Sequence, residues 1–234
     1  VDYTEKLRIE LTSLQNPDAE RQRLEIAIAD QFAIYLKLSK KLTRLRTRAA
    51  KELSIEITAA MRELGMEGGE FDVALQPIAK QIVSASGSES VEFMVNTNPG
   101  QPLKPIAKVA SGGELSRISL AIQVILAGAA SVPTLVFDEV DVGIGGTVAN
   151  IVGEKLRHLG QKCQVLCITH LPQVAARANQ HFSVRKSNIG DNSIRIEIKK
   201  LDSDERVAEI ARMSGSEKLT SQAKAHAEQM LAGA

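Results

Sequence analysis

Tryptophan is absent from this 234-residue chain and aromatic residues make up only 3% of it. Hydrophobic residues still reach 44%, so a sizeable core has to be assembled from Ile, Leu, Val and Ala, which suits helices packed on a sheet. Charge of one sign is lacking too. The net charge is +1, so the chain is no polycation and any affinity for nucleic acid has to come from a local patch. No apolar run is long enough to cross a bilayer. The first residues, Val1-Asp2-Tyr3-Thr4-Glu5, are charged and do not read as a signal peptide. The chain opens on Val rather than Met, so a piece of a longer protein is expected. The two cysteines, Cys163 and Cys167, flank a strand-like Gln164-Val165-Leu166. Residues four apart on a strand are ~13 Å apart, whereas two thiolates on one Zn²⁺ each sit about 2.3 Å from it. A shared metal with nearby His170 is therefore not expected. Reduced, packed thiols are, and they imply a cytosolic compartment.

Residues 1 to about 66 read as wholly helical. Leu7, Leu11 and Leu14 mark one face, Asn16-Pro17 breaks the helix, and Pro17 starts the next one. Tyr35, Leu38, Leu42, Leu45 and Ala49 then recur at spacings of three and four, a coiled-coil seam. A basic stripe of Lys37, Lys41, Arg44, Arg48 and Lys51 has the same spacing. With Lys40 and Arg46, the segment 37–51 carries seven cations and no acid. Such a stripe is either a solvated flank or a surface that tracks DNA phosphates. No aromatics interleave it, so base stacking is not indicated. Gly65, Gly68 and Gly69 close the helical part.

From residue 70 the pattern changes. Phe71–Leu75 and Val91–Val95 alternate as half-buried antiparallel strands, and the Pro- and Gly-containing stretch 96–108 reads as a loop. Leu115 to Ala130 predicts an apolar helix. Leu135–Phe137 and Val165–Ile168 are apolar on both faces, as buried parallel strands are, and a helix over 148–159 joins them into a β-α-β unit. Phe182–Arg185 and Ile194–Ile198 predict a hairpin across 188–192, and two short helices end the chain.

Three clusters carry chemistry. In Ser111-Gly112-Gly113-Glu114, Ser-x-x-Glu is a capping box, but capping does not require both glycines. Bare backbone at a helix start also favours an anion, and both readings stand. Asp138, Glu139 and Asp141 follow the first apolar strand. Like charges ~4 Å apart repel by about 4 kcal/mol at an effective dielectric near 20, and a bound Mg²⁺ turns that into attraction. Adjacent strand positions face opposite ways, so Asp138 and Glu139 are expected to do different jobs, one addressing metal and the other water. Thr169-His170 follows the next strand, at the same sheet edge, where His170 is placed to touch a phosphate oxygen or orient water. The loop G-x-x-x-x-G-K-[ST], which cradles phosphates in nucleotide hydrolases, occurs nowhere in the chain.

Ser111-Gly-Gly-Glu-Leu-Ser-Arg117 resembles the signature motif of ABC-type ATPases. Thr134-Leu-Val-Phe-Asp138-Glu139 is similar to their Walker B, Val140-Asp141-Val142-Gly143 to their D-loop, and Ile168-Thr169-His170 to their switch histidine. The longer runs Asn98–Gln123, Phe137–Gly146 and Thr169–Ala176 resemble the SMC-like group active in bacterial DNA repair, which hangs a coiled coil from an ABC head. The resemblance covers about residues 70–234.

It implies an α/β fold, the C-terminal lobe of an ABC-type head with parallel strands, flanking helices and β-hairpins. A helical coiled-coil segment over 1–66 would precede the lobe at 67–234. It also implies ATP and Mg²⁺ as cofactors. Asp138 would hold Mg²⁺ through water, Glu139 would polarise the attacking water and His170 would touch the γ-phosphate. Ser111, Gly112, Gly113 and Glu114 would meet nucleotide bound to a second head, and Asp141 would couple the two sites. The implied partners are an N-terminal lobe carrying the P-loop, a second copy and DNA, with no membrane, in a cytoplasmic, nucleoid-associated setting. The implied role is ATP-driven head engagement in double-strand break repair and recombination, with this chain inactive by itself. Two other classes share some of these features: a transporter's nucleotide-binding subunit, which lacks a coiled-coil arm, and a non-catalytic coiled-coil scaffold.

Overall fold

The computed structural model describes residues 2–15, 17–79, 83–109, 111–126, 132–188, 194–215 and 220–233. They form two compact units, one of residues 1–50 and 74–92, the other of 51–73 and 93–234. Helix α1 covers Asp2–Gln15 and α2 covers Pro17–Glu63, with Pro17 at the first helical position, where its missing N–H costs nothing. Asn16 lies outside the described residues. Among the described residues no helix is long and apolar enough to cross a membrane.

In the first unit, the expected seam on α2 does not stay together. Tyr35 and Leu42 are half-buried, while Leu38, Leu45 and Ala49 are exposed. The covered line is instead Tyr35, Ser39, Leu42, Arg46 and Ala50. It follows a chain segment laid along the helix. The Ser84 amide donates to Tyr35 Oη at 3.5 Å, Leu42 lies against Gly87, and Glu89 accepts from Thr43 and from Arg46 Nη1, the latter at 3.4 Å. The Thr43 hydroxyl above all, then Ser88 and Arg46, holds the Glu89 carboxyl below its ordinary range against the opposing effect of burial.

In the second unit, α2 stops at a left-handed Gly65 with φ of 81°. Met66 N–H donates to Met61 O at 3.1 Å and Gly65 N–H to Arg62 O at 3.2 Å, the paired bonds of a Schellman stop. Ile57 and Met61 on the last turns of α2, and Leu64 just past its end, are buried. Strands β1 (Glu70–Pro77), β2 (Glu89–Asn96) and β3 (Lys104–Pro105) form a sheet in that order. The Thr58 hydroxyl accepts Phe71 N–H at 3.0 Å and the Ser54 hydroxyl accepts Val73 N–H at 3.2 Å, so two α2 side chains serve as partners for β1 backbone. The Phe71 ring is buried with its centroid 5.4 Å from that of Phe93.

Helix α3 (Gly112–Leu126) leads to β4 (Thr134–Phe137), α4 (Gly146–Leu159) and β5 (Gln164–Cys167). The continuation of α3 expected over 127–130 lies outside the described residues. β4 and β5 pair in parallel, from Thr134 opposite Gln164 to Phe137 opposite Cys167. The expected burial on both faces is not observed. Phe137 is buried, but Val136, Leu166 and Ile168 are exposed, because among the described residues only one face of the pair is covered.

A short helix not foreseen from the sequence, α5 (Pro172–Ala176), precedes the hairpin β6 (Phe182–Asn188) and β7 (Ile194–Lys200). Residues 189–193, most of the expected loop, lie outside the described residues. The alternation is as expected, but both sides of the hairpin are open. Val184, Ile196 and Ile198 are exposed, and so are Arg185, Glu197 and Lys199, while Ser183 is buried. Ser183, Arg185, Glu197 and Lys199 line a cavity of about 330 Å³ together with Glu205, Glu209 and Arg212. The last helices are α6 (Ser203–Met213), which starts on an Asp202–Glu205 capping box, and α7 (Ser221–Ala232), capped by Thr220. Ile210, Ala211 and Ala227 pack with Ala175 and Ala176 of α5, and small side chains let the three helices approach closely.

Truncating Phe71 to Ala should cost about 3–5 kcal/mol, as for other buried aromatics. Phe182→Ala, half exposed, should change stability by no more than ~0.5 kcal/mol. Urea unfolding of both variants checks the contrast, and equal costs would mean that Phe71 is not a core residue.

Candidate functional site

The parallel register of β4 and β5 delivers residues 138–141 and 168–171 to one end of the strand pair. Ile168 N–H extends the pairing to Phe137 O at 2.9 Å. β4 ends at Phe137, so the strand alternation expected to separate Asp138 from Glu139 does not reach them. A turn separates them instead. Glu139 has φ of 58°, left-handed backbone that costs a non-glycine residue roughly 1–2 kcal/mol. Four hydrogen bonds hold the turn there. Asp138 Oδ1 accepts Glu139 N–H at 2.9 Å, and Asp138 O accepts the Ser116 hydroxyl at 2.6 Å. Glu139 O accepts Val142 N–H at 3.2 Å, and Val142 O accepts Arg117 Nη1 at 2.9 Å.

Two of those donors stand on the first turns of α3, so the Gly-rich helix start is clamped against the acidic turn. At Gly113, a Cβ would lie 3.2 Å from Glu139 O and 3.3 Å from Val142 Cβ, tighter than packed side chains normally come. At Gly112 a side chain would collide with the Glu139 carboxylate. The two glycines therefore have a use inside the chain, since they let Glu139 lie against the positive end of α3. Ser111 Oγ accepts Glu114 N–H at 3.4 Å, a long bond and a weak cap. Ser111 and Gly112 are exposed, Gly113 is buried and Glu114 is half-buried. Arg117 is buried. Desolvation pushes its pKa down and the charge of Glu114 pushes it up.

Asp141 is 2% exposed. Its Oδ2 accepts His170 N–H at 3.0 Å and Leu171 N–H at 3.3 Å, together with the Thr169 hydroxyl. His170 Nδ1 lies 3.2 Å from the same oxygen, with the His170 side chain 67% exposed. Burying a carboxylate without partners is expensive. Here each partner comes from the loop after β5, so the acid and the loop hold each other in place. Asp138 and Glu139 are exposed.

No cluster of three metal-ligating side chains exists among the described residues. An exposed Asp138 nevertheless suits Mg²⁺, which keeps most of its waters and takes one or two carboxylates plus phosphate oxygens. Cys167 closes the same strand end. Burial first, then the charges of Asp141 and Asp138, pushes its thiol up to about 12.

The chain is 47% identical over 227 residues to the DNA repair protein RecN of Xylella fastidiosa strain 9a5c, covering 97% of this chain and 41% of that protein. The chain belongs to the RecN family. RecN of Vibrio cholerae is 43% identical over 225 residues, 96% of this chain and 40% of that protein. RecN of Halalkalibacterium halodurans is 40% identical over 233 residues, 99% of this chain and 41% of that protein. The chain thus spans about two fifths of the RecN proteins it matches, at their C-terminal end. No family model matches it.

Among solved structures, the Smc head domain with a coiled coil and joint from Pyrococcus yayanosii has a TM-score of 0.56 at 18% identity, covering 91% of this chain and 38% of that one. The Pyrococcus furiosus Smc head with an extended coiled coil, bound to the C-terminal domain of ScpA, has a TM-score of 0.52 at 19% identity, covering 90% and 49%. At such identities the likeness is one of fold, the C-terminal lobe of an ABC-type ATPase head.

Of the residues singled out in the sequence, this RecN-family chain brings Gly112, Gly113, Asp138, Glu139, Asp141 and His170 together in one unit. On α2, Lys37, Lys41, Arg44 and Arg48 are exposed within the other unit, and Lys51 is exposed on the stretch of α2 that belongs to the second. Arg46 is drawn onto Glu89 at 3.4 Å. Sequence reasoning assigned no role to Ser116, Arg117 or Thr169. All three lie inside the quoted motifs, but nothing in their spacing says which backbone carbonyl or carboxylate each one reaches.

A raised thiol pKa favours the neutral form, so Cys167 stays unreactive until the pH nears that value. At pH 8 its thiolate fraction is on the order of 10⁻⁴, against about a quarter for a free thiol near 8.5. Iodoacetamide should label it at least a hundredfold more slowly than a free thiol, followed by peptide mass mapping. Labelling at the free-thiol rate would contradict this environment.

Proposed function

We propose that this chain is the C-terminal half of an ATP-hydrolysing head in a protein of DNA double-strand break repair, acting with an N-terminal lobe of the same protein and with a second copy of itself. The observation that carries the reading is the meeting of Asp138, Glu139 and His170 at one strand end, clamped to a glycine helix start, in a member of the RecN family.

ATP would be sandwiched between two heads, with the triphosphate against the strand end of one head and the α3 start of the other. At that start, Ser111 and Gly113 contact the γ-phosphate, because a helix N-terminus offers unpaired N–H groups and a favourable dipole. Gly112 keeps the approach open, and Glu114 sits in the first turn. Asp138 would hold Mg²⁺ through its waters, and the ion would supply charge neutralisation at the phosphates. Glu139 swings from Gly112 to polarise the attacking water, and His170 donates to the γ-phosphate. ATP binding engages the heads and hydrolysis releases them. Asp141 reaches the interface through the loop it holds. Lacking a P-loop sequence, the chain alone hydrolyses no ATP.

DNA is tracked by Lys37, Lys41, Arg44, Arg48 and Lys51, whose spacing on α2 follows a phosphate backbone. The setting is the cytoplasm, on the nucleoid.

In the protein with its N-terminal portion joined, Glu139→Gln should lower kcat for ATP by about 10²–10⁴-fold, the usual contribution of a general base. Turnover equal to wild type would remove Glu139 from that role. Reversing Lys41, Arg44 and Arg48 to Glu should weaken DNA binding and flatten the slope of log K against log salt by roughly 0.9 for each phosphate no longer neutralised. An unchanged slope in a filter or anisotropy titration would move the DNA site elsewhere.

A further inference from the structure

The Asp141 carboxylate has more to do than close a turn. Three hydrogen-bond donors converge on its Oδ2, the Thr169 hydroxyl, His170 N–H at 3.0 Å and Leu171 N–H at 3.3 Å, and the His170 ring nitrogen Nδ1 lies 3.2 Å from the same oxygen. A carboxylate has about four lone-pair sites over its two oxygens, so one oxygen cannot serve all of these contacts fully. The bond to Leu171 is the longest of these, and its N–H is shared with Thr169 Oγ1 at 3.1 Å. The Thr169 hydroxyl also lies 3.4 Å from Leu171 O. Besides Thr169, the contacts fall on His170, whose backbone N–H is held by this oxygen and whose ring nitrogen Nδ1 lies beside it. That placement fixes where the imidazole stands and turns Nδ1 toward the acid.

It also bears on the proton. A carboxylate accepts and does not donate, so its charge favours hydrogen on the ring nitrogen 3.2 Å away. A neutral imidazole has one N–H, which leaves Nε2 as the acceptor nitrogen; when the ring is protonated, Nε2 is the nitrogen whose hydrogen is free to donate. Asp141 is buried and the His170 ring is largely exposed, so the nitrogen held by the acid faces inward and the other is left to solvent. Carboxylates that accept from the free N–H of metal-bound histidines orient those rings by the same physics.

The geometry points to Asp141 as the positioning residue of His170: it holds the Nδ1–H tautomer and presents Nε2 at the strand end beside Asp138 and Glu139. The pairing stands on distances within this chain. Only its effect on turnover rests on the ATPase reading above. Asp141 is buried, and its influence on the opposite head passes through the 169–171 loop that it holds.

The test begins on the chain itself. In ¹⁵N-histidine-labelled protein at pH 8, long-range ¹H–¹⁵N spectra should give His170, assigned by loss of its signals in His170→Ala, the pattern of the Nδ1–H tautomer. In Asp141→Asn it should shift toward the Nε2–H form that free imidazole favours. An Nε2–H pattern in the unmutated chain, or no change in Asp141→Asn, overturns the proposal, and the first of these outcomes needs no variant to fold.

With the N-terminal portion joined, Asp141→Asn should lower kcat at least tenfold and change KM less than twofold. In His170→Ala the further change Asp141→Asn should have less than a twofold effect. A merely structural role for Asp141 would multiply the two losses, and that result rejects positioning. Should the joined protein hydrolyse no ATP, the ATPase reading fails, and the tautomer spectra still decide the pairing.

Discussion

Asp138, Glu139, Asp141 and His170 come from two stretches about thirty residues apart in sequence, and the parallel register of β4 and β5 brings them together. Pairing Phe137 with Cys167 sets both stretches free at the same end. Antiparallel pairing would send them to opposite ends of the strands, and a slip of one residue would turn each side chain to the other face. Two kinds of bond lock the ends once they meet. Asp141 takes donors from the loop after β5, and Ser116 and Arg117 take carbonyls from the turn after β4. The second set fastens α3 to the same turn, so three separate elements share a single geometry.

The turn after β4 is strained and well held. A left-handed Glu139 is unusual for a residue with a long side chain, and such positions persist where the surroundings over-determine them. Its neighbours do so: the Asp138 side chain, the Ser116 hydroxyl and the Arg117 guanidinium each bond within three residues of Glu139. The outcome is an acidic side chain lying on a helix start stripped of Cβ atoms. Moving that carboxylate away from Gly112 uncovers the α3 terminus.

Two sets of apolar side chains stay open among the described residues. Val136, Leu166 and Ile168 on the β4–β5 pair, and Val184, Ile196 and Ile198 on the hairpin, are exposed apolar side chains. The chain spans about two fifths of the RecN proteins it resembles, and nothing among its described residues closes those faces. The α2 seam differs. There the covering is internal, and the segment around Glu89 shifts the buried line from the heptad positions to Ser39, Arg46 and Ala50.

Local rules make much of this protein legible from its residues. Pro17 and Gly65 bracket α2 because proline suits a helix start and glycine a left-handed stop. Short apolar runs mark the paired strands β4 and β5, and Ser-Gly-Gly-Glu marks a helix start, since period and capping chemistry are properties of neighbouring residues. α5 escapes such rules, being five residues long with a proline at its first position, too short for a period to show. What only tertiary structure decided was direction and partnership: that Gly112 makes room for Glu139, that Asp141 turns inward to His170 rather than outward with the other acids, and that Arg46 leaves the basic stripe for Glu89. Each of these contacts joins residues more than twenty-five positions apart, and pairing over such distances is set by how strands register and helices dock, which no local pattern records.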